Sequence, residues 1–204
     1  MLAMTLGACT GPGSEPGEEA SAAIVLHLTV DETDHEDWQL ERLELRVDEF
    51  VLTAEGPSGP TSVAHAGGAW VSLVPDGGGP TGIELTLDAG PYEGIETIVH
   101  LRPDTALPAL RATGWLDEQP FELDVTMEIG LVAESDERTL APGDEPRLIY
   151  TLRPDEWLGE LDLEDIEPTA DVLRIDATHN VATYFDTVER IEESTEARLS
   201  QSPE

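Results

Sequence analysis

From Ala22 the chain alternates, with Ile24, Leu26, Leu28 and Val30 separated by Val25, His27 and Thr29. A period of two predicts a strand with one strongly apolar face. Leu43, Leu45 and Val47 alternate in the same way with Glu44, Arg46 and Asp48, and Asp48-Glu49 then breaks phase before Phe50-Val51-Leu52. A bulge or bend at Asp48-Glu49 would return the apolar set to one face. Gly56-Pro-Ser-Gly-Pro60 is turn chemistry, and Trp70 to Val74 is a short apolar strand closed by Pro75-Asp-Gly-Gly-Gly-Pro80. Further strands are predicted at Ile83 to Leu87, Ile95 to Leu101, Arg111 to Leu116, Leu148 to Leu152 and Val172 to Ile175. The cleanest is Phe121 to Ile129, where every odd position is apolar and every even one polar. Such alternation belongs to antiparallel sheets with one wet face.

Helical signals are few. Asp155 to Gly159, after Pro154, fits a single turn, and Val181, Tyr184, Phe185, Val188 and Ile191 form a stripe at helical spacing. The predicted fold is mainly β: an antiparallel β-sandwich, Greek-key-like, with one C-terminal α-helix packed on it. The predicted division is a signal segment at 1–8, a flexible tether at 9–21, the sandwich at 22–178, the helix at 179–199 and a frayed end at 200–204.

Composition adds charge and an address. The chain has 44 Asp and Glu against 10 Arg and no Lys, a formal charge of −34. Such a surface repels nucleic-acid phosphates and anionic headgroups. Of 204 residues, 50 are Leu, Ile, Val or Phe, enough to build a core despite the repulsion. No apolar run reaches the roughly 18 residues of a spanning helix.

Met1 to Ala8 is apolar and leads into Leu6-Gly-Ala-Cys9, which resembles the lipobox of bacterial lipoproteins. In that family the cysteine, here Cys9, becomes the lipidated N-terminal residue. The next eleven residues are Gly, Pro, Ser, Thr, Ala and Glu, a composition suited to a tether. The segment lacks a basic start and is short, which fits a start codon placed too far downstream. Leu43-Glu-Leu-Arg-Val47 and Leu87-Asp-Ala-Gly-Pro-Tyr92-Glu-Gly-Ile95 resemble segments of certain secreted bacterial β-sandwich lipoproteins, a domain family without assigned function. The resemblance implies a fold and a place in the cell envelope or on its outer surface, held to the membrane through lipid alone. It implies no catalytic residue. With one cysteine, an intramolecular disulfide is excluded.

Candidate chemistry is sparse. There is no nucleophile elbow, P-loop or zinc-protease motif. His27 and His100, on predicted strands, could face each other as a zinc pair, or simply face solvent. Asp31, Asp34, Glu36 and Asp37, and separately Asp162, Glu164 and Asp165, offer oxygen ligands for Ca²⁺, although neither set fits an EF-hand. Trp70, Trp115 and Trp157 lie in apolar runs and are expected in the core, the alternative being a sugar-stacking platform. The expected function is a non-enzymatic envelope lipoprotein with a binding or structural role. The alternatives are a carbohydrate- or protein-binding module with Ca²⁺-assisted loops, and a hydrolase whose paired carboxylates meet only in the fold.

Overall fold

The computed structural model describes residues 21–75, 78–135 and 137–200. The protein is mainly β, with 61% of residues in strands and a curled sheet. In chain order the elements are β1 (Ser21–Val30), β2 (Trp38–Gly56), β3 (Gly59–Val74), β4 (Gly79–Asp88), β5 (Gly90–Leu101), β6 (Leu110–Leu116), β7 (Gln119–Val125), β8 (Ile129–Ser135), β9 (Arg138–Leu140), β10 (Arg147–Leu152), α1 (Pro154–Leu158), β11 (Leu173–Ile175), α2 (Val181–Ser194) and β12 (Glu196–Ser200). A short 3-10 turn, Leu163–Asp165, lies between α1 and β11.

The smaller sheet has the order β12-β10-β1-β4. In β1 the alternation is realised, since Ala22, Ile24, Leu26 and Leu28 are buried and His27 and Thr29 face outward. The larger sheet runs β11-β7-β6-β2-β5-β8, with β3 also paired to β2 and β9 to β5. Its spine is β2. β3 takes one edge of β2 from Leu43 to Gly56, while β6 (against Trp38 to Leu45) and β5 (against Val47 to Glu55) lie end to end along the other. The register slips between Val47 and Glu49 against both neighbours, as the phase break at Asp48-Glu49 requires. Leu43, Leu45 and Val47 are therefore inward before the bulge, and Phe50 and Leu52 after it.

Both sheets contribute to one core. Ile24 and Leu148 of the smaller sheet and Leu52, Val99, Leu123 and Leu131 of the larger are all in it. One polar bridge crosses between them: the Thr97 and Tyr150 hydroxyls are 2.8 Å apart, and the Tyr150 hydroxyl donates to the Thr97 carbonyl at 3.0 Å. Burial pushes the Tyr150 phenol up to about 12, outweighing its hydrogen bond with Thr97. Tyr92 is also buried, and its hydroxyl donates to the Asp88 carbonyl at 2.9 Å. The turn beneath it needs Gly90, whose φ is +150° and whose Cβ, if present, would stand 2.5 Å from Pro57 Cγ.

Several elements differ from the sequence reading. The sheets are mixed, because β1–β10 and β11–β7 pair in parallel. Parallel pairs need long crossovers, and short-range patterning does not report them. The strand predicted over Phe121 to Ile129 is broken at 126–128 into β7 and β8, leaving Met127 39% exposed. β3 begins at Gly59, well before Trp70, and β2 begins at Trp38. The helix stops at Ser194, and Glu196–Ser200 adds β12 antiparallel to β10, where a continuous helix to 199 and a fray from 200 were expected. Thr195 takes extended backbone and so ends the helix.

The register makes a sharp prediction. Leu123→Asp, which buries an unpaired carboxylate, should cost on the order of 3–5 kcal/mol in urea unfolding. Glu122→Gln and Met127→Gln, at exposed positions, should cost about 0.5 kcal/mol or less. Equal losses for all three would overturn the register.

Candidate functional site

Cys9 lies outside the described residues. His27 is on the outward face of β1, where burial and the Arg147 charge push its imidazole below the ordinary value. His100 is on β5, in the larger sheet, with its Nδ1 2.9 Å from a Glu128 oxygen. The two histidines face away from the core on different sheets, so the zinc-pair arrangement is not formed. Asp31, Asp34, Glu36 and Asp37 are all exposed in a turn, and among the described residues no three His, Cys, Asp or Glu gather to hold a metal ion. Within the turn Asp34 bridges to Gln39, and the His35 amide donates to the Trp38 carbonyl at 2.7 Å.

Of the three tryptophans singled out, only Trp157 is in the core. Trp70 is 36% and Trp115 40% exposed. Both occupy outward positions of strands whose inward neighbours carry the burial, Leu73 and Val74 in one case and Leu116 in the other. The buried partner near the loop end is Trp38, which the sequence reading had not singled out.

Trp115 lies at the rim of an open hollow of about 480 Å³ lined also by Asp34 to Gln39, Asp117 and Glu118. Its indole N–H donates to Glu41 at 3.0 Å, fixing the ring. β2 and β6 approach closely here because residue 114 is glycine; a Cβ would collide with the Gln39 carbonyl oxygen. His35 stacks on Trp38 with centroids 6.2 Å apart. The β6–β7 hairpin turns through Asp117 (φ 47°) and Glu118 (φ 67°). Left-handed backbone at two non-glycine residues is strained, and such strain concentrates at working surfaces.

A second hollow of about 490 Å³ is lined by Asp37, Leu116, Asp117 and residues 158–164. Asp37 and Asp117 border both, and the Asp117 amide donates to the Asp37 carbonyl at 2.8 Å. The two acidic loops noted in the sequence thus meet at one end of the molecule. An indole face with carboxylate acceptors around it suits a polyhydroxylated ring or a cationic group.

Elsewhere the outward face carries ion pairs. At the joint where β5 gives way to β6, Arg102 forks onto Glu128 at 2.9 and 3.1 Å and reaches Asp48 at 3.1 Å. Arg46 bonds Asp48 at 3.2 Å and the Arg102 carbonyl at 2.8 Å. The hydrogen bond from Arg102 holds the Glu128 carboxyl below its ordinary value. These groups saturate one another, so the joint reads as a staple across the strand break.

Ahead of α2, Asp176 accepts from the Thr178 amide and hydroxyl at 2.7 Å each and from the His179 amide at 2.8 Å. Partial burial pushes its carboxyl up, but these bonds outweigh it and hold it at about 2.

No protein-family model, curated protein or solved structure matches the chain. Among the described residues no helix is long and apolar enough to cross a membrane.

Two predictions follow from the electrostatics. The Asp176 carboxyl is lowered from 3.8 to about 2 on folding, so it stabilises the fold above about pH 4 and that contribution is lost as pH falls through 2. Asp176→Ala should cost about 1–2 kcal/mol at pH 7, and the gap to the parent, followed by urea unfolding, should narrow toward pH 2. A gap independent of pH would show that ionisation is irrelevant. Separately, a charge of −34 with no Lys puts carboxylates within a Debye length of one another, roughly 10 Å at 0.1 M salt and 3 Å at 1 M. The melting temperature should therefore climb from 0.05 to 2 M NaCl, whereas a flat curve would mean that the layout already neutralises the repulsion.

Proposed function

We propose that this protein is a non-enzymatic, lipid-anchored lipoprotein of the cell envelope, and that its loop end binds a carbohydrate. In this reading the two sheets form a β-sandwich with Greek-key-like connections and α2 packed on it. The shared core supports that, as do Tyr184, Val188 and Ile191 buried on one face of α2. A hydrogen bond at 3.1 Å from the Thr126 amide to the Tyr184 hydroxyl adds to it. The anchor rests on the lipobox-like Leu6-Gly-Ala-Cys9 and the tether after it.

The observation that carries the binding role is the exposed indole of Trp115 at the rim of the carboxylate-lined hollow. A sugar ring stacks on an indole, and neighbouring carboxylates accept hydrogen bonds from its hydroxyls. A flat apolar ring held by Glu41 has little rotamer freedom left to lose on binding.

Both halves can be tested on the full chain made in a bacterium with a complete lipoprotein signal segment fused ahead of Cys9. The parent should enter a detergent phase and Cys9→Ala should stay in water, because two acyl chains anchor stably. Identical partitioning would overturn the anchor. Neutral oligosaccharides should change indole fluorescence saturably in the parent and leave Trp115→Ala unchanged. A response that survives in Trp115→Ala, or no response at all, would overturn the site.

A further inference from the structure

From Pro57 to Pro75 the chain carries no Asp, Glu or Arg, although 26% of its residues are charged. That composition would place about five charges in such a stretch. The stretch is β3, a 16-residue strand, far longer than the usual 5–6. One edge of β3 pairs with β2 from Gly59 to Val74. Among the described residues no backbone hydrogen bond is made from the other edge to another strand. Open edges normally carry Lys, Pro or inward charges against strand addition. Here only Pro60 and the irregularity at Gly67-Gly68 stand in the way.

We propose that the free edge of β3 is a self-association surface, and that its occupant is the β3 edge of a second copy, antiparallel about a two-fold axis at Gly67. About that residue Ser62 would face Ser72 and Val63 would face Val71, Ala64, one of the smallest side chains, would face Trp70, the largest, and His65 would face Ala69. Ala66 would face Gly68, and the two Gly67 residues meet on the axis, where the nearest atom to a built Cβ is His65 Nε2 at 3.8 Å. Each pair joins positions of the same parity, so the two sheets keep their inward faces on the same side. The pattern of exposure agrees, with Ser62, Ala64, Ala66 and Trp70 exposed and Val63, His65, Ala69 and Val71 half-buried. An isologous contact needs a self-complementary patch.

Charge selects this occupant. Two bodies at −34 each repel through any face that carries carboxylates. The β3 edge is a long uncharged strip on which backbone groups can meet without placing carboxylate against carboxylate.

The test uses the full chain as Cys9→Ala, which removes the only thiol and with it lipidation and disulfide artefacts. In sedimentation velocity, dimer should form reversibly, with Kd falling by roughly tenfold or more between 0.1 and 2 M NaCl as screening shortens the Debye length. Ala64→Asp and, independently, Ser62→Asp should remain monomeric in 2 M NaCl with circular dichroism unchanged. Phe185→Ser, at a 53% exposed position of α2, should dimerise like the parent. To read the register, Ser62→Cys combined with Ser72→Cys should oxidise to a cross-linked dimer; within one chain those positions are about 33 Å apart along the strand. A parent that stays monomeric at 1 mM in 2 M NaCl would overturn the proposal. So would unchanged dimerisation of both Asp variants, or loss of dimer in Phe185→Ser.

Discussion

The pairing of β2 on both of its edges is the interaction on which the larger sheet depends. Nineteen residues long, β2 gives register to β3 on one side and to β5 and β6 on the other. So long a strand cannot hold one apolar face against a curling sheet without a phase change, because twist and coiling accumulate along it. The bulge at Asp48 supplies that change. Its consequence is local: β5 must give way to β6 beside it, β7 must give way to β8 one strand further out, and backbone ladder bonds are lost at both joints. The Arg46–Asp48–Arg102–Glu128 network occupies that gap, where side chains replace part of the missing ladder.

Much of this was legible in the chain. The phase break at Asp48-Glu49 announced the bulge, and the alternation from Ile24 to Leu28 announced the buried face of β1. What was not legible has a common cause. Residues 59–66 of β3 alternate in exposure but not in hydrophobicity, since Pro, Ser and Ala take the exposed side and Gly, Thr, Val and His the half-buried one. Met127 looked like a core residue because the strand break at 126–128 leaves the apolar and polar alternation intact. The parallel pairs β1–β10 and β11–β7 join segments far apart in sequence, and a periodicity of two carries no information about direction. β12 follows the helix after one residue, too short a strand to show a pattern.

The loop end was legible in parts and not as a whole. Both acidic loops were visible, and Trp115 was visible, but the apolar run around Trp115 suggested burial. Its strand buries the other parity, through Ala112 and Leu116, and a single outward tryptophan among them reads as core in a linear window. Convergence of Asp37 and Asp117 depends on the β6–β7 hairpin lying beside the start of β2, a long-range pairing. The strained Asp117-Glu118 turn was equally hidden, because glycine or asparagine is what left-handed hairpin turns ordinarily show.

Charge explains why the few cations are all arginine. A fold with 44 carboxylates and 10 cations gains most where one cation engages more than one acceptor. Arg102 serves Glu128 and Asp48 together, Arg111 holds Asp124 through two nitrogens at 2.7 and 3.0 Å, and Arg153 reaches Glu156 and Glu196. A planar guanidinium presents five donors in a fixed fork, whereas an ammonium is a compact, strongly hydrated point charge on a flexible stem. Arg111 also stands between strands, paired to Glu44 of β2 and Asp124 of β7 in the register, so one residue relieves repulsion along two ladders. Surface pairs of this kind contribute little singly. Placed across strand joints and between neighbouring acidic ladders, they remove repulsion from the places where the sheet has least backbone pairing to resist it.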